Sequence, residues 1–209
     1  MKNKAVEKVF ALVASILTFL LYALLFALLV YLETAQATGD LDLTIQYGIC
    51  TFAFLIIIVA IGLRQPNLVI LALALALVLV TAASIVGDIT DLGSIVNSFE
   101  TSITSGIARV LALAIDVVLV LGAIYFIAGQ LFDDGRPCTR KAILFFNISL
   151  VLTLVQFILY TWKNYAPDLT WLINAVINIS VVFPSLSYIL LTDAYSLKPG
   201  ELFIHAKKE

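Results

Sequence analysis

Six stretches of the chain, 9–32, 44–63, 68–86, 106–132, 142–162 and 169–191, run almost without charge. Each is about 20 residues long, the length a helix needs to cross a hydrocarbon layer of about 30 Å. A soluble fold has no core large enough to hide them. Hydrophobic residues make up 62% of the 209 and charged residues 12%, where a soluble domain has roughly 45–50% and about 25%. The sequence therefore predicts an all-α integral membrane protein. It is a single polytopic domain over 1–209, a bundle of six transmembrane helices, with 192–209 as a short tail.

Two other readings of these runs fail on their own patterns. "LVILALALALVLV" alternates Leu with Ala, but both partners are apolar, so the polar lumen face of a membrane barrel strand is missing. At the N-terminus, Lys2, Lys4 and Lys8 precede an apolar run, and Ala35-Gln36-Ala37 fits a small-residue cleavage pattern. That run, however, is about two dozen residues long and exceeds the 7–15 of a secretion signal. The expectation is an uncleaved first span.

Charge orients the bundle, because short cytoplasmic loops collect Lys and Arg. Lys2, Lys4, Lys8, Arg64, Arg136, Arg140, Lys141, Lys198, Lys207 and Lys208 fall on one side of a six-span layout. The other side holds Glu33, Asp40, Asp42, Asp88, Asp91, Glu100 and Asp168, with Lys163 its one loop base. Both termini are predicted cytoplasmic, in the plasma membrane. Gln65-Pro66-Asn67 makes spans two and three a tight pair. The basic "DDGRPCTRK" connection reads as an anchor on anionic lipid, since it lacks the glycine spacing of a phosphate loop.

On the outer side, "DLGSIVNSFETSITSG" spaces Leu92, Ile95, Val96, Phe99 and Ile103 at helical intervals. This predicts a short amphipathic helix between spans three and four, capped by Asp91 or Ser94. Cys50 and Cys138 lie towards opposite faces, which argues against a disulfide between them. His205 is the single histidine, so no histidine metal cluster is expected, and no cofactor. Neither nucleic acid nor a catalytic set is indicated, and the chain is not expected to be an enzyme.

The informative residues are polar ones inside the apolar runs. Asp116 shares a helical stripe with Ala108, Arg109, Ala112, Ala123 and Gln130, and small residues at that spacing let helices approach closely. Span five aligns Ser149, Thr153, Gln156 and Tyr160, and span six Asn174, Asn178, Ser185 and Thr192. Such side chains commonly act as interhelical glue. Depth groups some of them: Asp116, Asn178 and Thr153 each fall about nine or ten residues from an outer end, at about 1.5 Å per residue. Asn174, Gln156, Thr81, Cys50 and Thr51 lie somewhat further out.

Arg109 and Asp116 are seven residues apart, about 10.5 Å along a helix, and side chains lean towards the N-terminus. Arg109 is thus expected to snorkel to the outer interface as an anchor. Asp116 has no such escape. At its depth an ionised carboxylate costs roughly 2.5–3.5 kcal/mol unless it is protonated, hydrogen-bonded or hydrated. A neutral Asp116 donating to Asn178 or Thr153 is one solution and a ligand site is another.

The leading expectation is a small-solute or ion transport protein, or the substrate-binding membrane subunit of a transporter. Asp116 would be a cation or proton site, and Asn174, Asn178, Gln156 and Thr153 would complete an outward-facing polar layer. In size, span count and orientation the chain resembles the substrate-binding subunits of energy-coupling-factor vitamin transporters, which implies that second form. Their small-residue docking pattern in the first span is matched in outline by Ala11/Ser15 and Ala23/Ala27. The alternative is a non-catalytic accessory subunit whose apolar surface docks on a larger membrane complex. Water reaching Asp116 favours transport; a sealed Asp116 favours the accessory role.

Overall fold

The computed structural model describes residues 4–36, 41–90, 97–99, 102–131, 136–163 and 182–195. They form helices α1 (Lys4–Gln36), α2 (Leu41–Gly62), α3 (Pro66–Thr90), α4 (Ile103–Leu131), α5 (Arg136–Lys163) and α6 (Val182–Tyr195). Among the described residues there is no strand, so the Leu/Ala alternation of span three is helical. By length and composition, Val6–Tyr31, Ile103–Leu131 and Pro137–Leu159 are each apolar enough to cross a membrane. Tyr47–Gly62 and Pro66–Ala82 are shorter apolar helices. Of the predicted sixth span, 169–181 lies outside the described residues, as does the tail beyond Tyr195.

Helix ends follow local chemistry. Pro66 and Pro137 sit in the first turns of α3 and α5, where a missing N–H loses no helical bond. Between α2 and α3 the Gln65 N–H reaches the Ala60 carbonyl at 2.9 Å and the Arg64 N–H the Ile61 carbonyl at 3.1 Å. That closure needs a left-handed residue, and Arg64 supplies it at φ 56°. Glycine usually takes this position because a Cβ there costs about 1–2 kcal/mol. Ser102 caps α4, its hydroxyl accepting from the Ser105 N–H at 3.1 Å. Of the predicted outer helix, residues 97–99 are helical, and 91–96, with both candidate caps, lie outside the described residues. The Phe99 ring covers Gly106, where a Cβ has no room.

The helices close into a ring in chain order: each packs on the next, and α6 packs back on α1 while also touching α3. Neighbours run antiparallel. Thr18 meets Ser187 and Lys8 meets Tyr195 across α1 and α6. Gly122 meets Phe146 across α4 and α5, and Phe146 meets Tyr188 across α5 and α6. Lys8, Arg64, Arg140 and Lys141 consequently gather at one end of the bundle. There the Lys8 ammonium lies 5.5 Å from the Tyr195 ring centre and the Lys141 ammonium 5.2 Å from that of Tyr125.

Polarity is inverted relative to a soluble protein. Ser15, Thr18, Ser149, Ser187 and Thr192 are wholly buried, whereas Leu24 is 66% and Phe52 64% exposed. A bundle with hydroxyls inside and large aliphatic groups outside suits a hydrocarbon solvent, which rewards hiding polar atoms. Ala11 and Ser15 belong to this interior. That half of the small-residue pattern in the first span is therefore internal packing.

Candidate functional site

One level of the bundle is filled with aromatic rings. Phe54, Phe126, Phe146 and Tyr188 are at most 1% exposed. Phe54 and Tyr188 stand 6.2 Å apart centre to centre, and Phe146 and Tyr188 5.8 Å. Gly122 makes the space for this layer, since a Cβ there would sit 2.5 Å from the Phe146 ring. The series continues away from the basic end through Tyr22, 5.8 Å from Phe54, to Tyr47, 5.8 Å further.

Immediately beyond, where the facing side chains shrink to Cys50, Thr153 and Ser185, a cavity of about 180 Å³ opens on the bundle axis. All six helices wall it. Leu21 and Tyr22 come from α1, Tyr47 and Cys50 from α2, and Val80 from α3. Asp116 and Leu119 come from α4, Thr153 from α5, and Ser185 and Tyr188 from α6. Among the described residues most of the wall is apolar, and Asp116 is the carboxylate in it.

Asp116 is half-buried at the edge of the buried face of α4, which centres on Ile115, Leu119, Gly122 and Phe126. It has an interaction partner, as does Arg109. Thr153 is buried beside the cavity, and its hydroxyl donates to the Ser149 carbonyl of its own helix at 2.9 Å. The Tyr188 hydroxyl is buried in the wall, facing that of Tyr22. Among the described residues, the buried hydroxyls of Ser149 and Thr192 and the buried Gln130 amide have no hydrogen-bond partner.

The structure thus brings together Asp116, Thr153 and Cys50 of the expected polar layer. Gln156 stays outside the cavity: its Nε2 donates to the Ala108 carbonyl at 3.4 Å, pinning α5 to α4. Asn174 and Asn178 lie outside the described residues. Arg109 is exposed on the surface of α4. Cys50 and Cys138 are both free. Among the described residues no group of three His, Cys, Asp or Glu side chains could hold a metal.

Sequence reasoning did not single out Tyr22, Tyr47 and Tyr188. Each reads as one more apolar residue in a span. The signal was their depth, because tyrosine in a span usually sits at the interface, where its hydroxyl stays wet. Hydroxyls also behave differently from the expected glue. Ser15, Thr51, Thr81 and Thr153 each donate to the carbonyl four residues back, an acceptor that every helix offers. Thr18 and Ser187 do bond across helices, at 2.7 Å.

Comparison with known proteins finds no matching family, no matching curated protein and no matching solved structure. The functional reading therefore rests on the cavity and its chemistry.

Proposed function

We propose that this chain is a six-span membrane protein with its basic end and both termini in the cytoplasm, and that its axial cavity binds a small solute entering from outside. It acts as a small-solute transporter or as the substrate-binding subunit of one, with no catalytic step. The observation that carries this reading is the cavity of about 180 Å³ with Asp116 in its wall. A packing role for Asp116 would seal it between helices. Instead it borders open volume shared by all six, the usual place for a ligand in a helical bundle. The gathering of Lys8, Arg64, Arg140 and Lys141 at one end supports the orientation.

Native mass spectrometry of the protein extracted in mild detergent tests this against the accessory-subunit alternative. The expected result is a non-covalent small-molecule adduct on the wild type that Val80→Phe, which fills the cavity, lacks. A wild type without any adduct, copurifying in fixed ratio with another membrane polypeptide, would instead assign the accessory role.

A further inference from the structure

We propose that the solute is an organic monocation: an ammonium group on a compact apolar body of about six to nine non-hydrogen atoms, a size set by comparison with a dry cavity of about 150 Å³ that holds benzene. This rests on the solute-binding reading and specifies its ligand.

Among the described residues, the cavity wall contains the Asp116 carboxylate and no Lys, Arg or His. An anion would therefore enter a largely apolar space beside a carboxylate, with no cation among those residues to offset its lost hydration. A bare inorganic cation fares little better. Hard cations call for six or more oxygen ligands at fixed distance, whereas this wall is largely Leu21, Val80, Leu119 and other apolar groups. A molecule with one positive end and a greasy remainder matches both parts of the wall.

The aromatic side chains sharpen the match. Tyr22, Tyr47 and Tyr188 all border the cavity, and Tyr22 and Tyr47 are tilted by 37° at 5.8 Å instead of covering each other face to face. Aromatic rings attract a desolvated ammonium through their quadrupoles, and a carboxylate accepts its N–H donors. Tyr188, 1% exposed, also borders the cavity, and its hydroxyl faces that of Tyr22, a pair whose oxygens can accept an N–H from a bound ammonium.

Titration calorimetry on the full chain in detergent, with benzylammonium, benzyl alcohol and benzoate as probes of one shape and three charges, tests the assignment. Benzylammonium is expected to bind about tenfold or more tighter than benzyl alcohol, with benzoate weakest. Asp116→Asn should erase that preference. Tyr22→Leu should reduce benzylammonium affinity about fivefold, the scale of one cation–π contact. If benzyl alcohol or benzoate equals or exceeds benzylammonium on the wild type, the cation assignment is wrong and the solute cavity stands. If none of the three binds the wild type, both readings fall. The three-probe comparison on the wild type decides the matter even where a variant does not fold.

Discussion

Two adjacent levels of the same bundle are built on opposite principles. Around Phe146 the interior is filled by large rings, and the backbone gives way to accommodate them through Gly122. Around Asp116 the same helices present Cys50, Thr153 and Ser185, and the interior is hollow. Inside a membrane the apolar effect does little to hold helices together, so contact and hydrogen bonding must. The filled level supplies that contact. It lets the hollow level, a turn or two along each helix, remain under-packed without the bundle coming apart.

Substitutions that exchange the two characters test this contrast. The largest effect is expected from Phe146→Ala, which should destabilise the protein by about 3 kcal/mol through the void it opens, measured by equilibrium unfolding in micelles. Gly122→Ala should cost about 2 kcal/mol by overpacking. Phe146→Leu in the same chain should recover at least half of that, a coupling that a double-mutant cycle reads directly. Thr18→Val, which breaks the bond to Ser187 inside the bundle, should cost about 1 kcal/mol. Smallest is Val80→Phe at the hollow level, which should shift stability by less than about 1 kcal/mol in either direction while abolishing solute binding. Were Val80→Phe as damaging as Phe146→Ala, the two levels would not differ in the way described.

How much of this could be read in advance depends on which physics each feature expresses. Helices are a matter of length and hydropathy along the chain: α1 to α5 overlap the first five predicted runs, and of these α1, α4 and α5 are long and apolar enough to cross a membrane. Asp116 was conspicuous because a carboxylate in an apolar run is costly wherever its helix packs. Partner choice was less accessible. Periodicity placed Asp116 on a stripe with Ala112 and Ala123, yet the close approach occurs at Gly122, beside that stripe, because Phe146 of α5 happens to cover it. Gln156 shared a face with Thr153, but a turn of helix carries it past the cavity to the Ala108 carbonyl. A cavity walled by six helices exists only once the ring closes, and no single segment encodes it.

The most direct test of the central claim, a solute cavity reached from outside, is thiol labelling at its wall. Cys50 and Cys138, both free thiols, are first replaced by Ala and Ser, and Val80→Cys is introduced. Intact cells are then treated with a membrane-impermeant cationic methanethiosulfonate. The account predicts that the new thiol is modified from outside, and more slowly when benzylammonium is present. Modification only after the cells are permeabilised or the protein is denatured would contradict it.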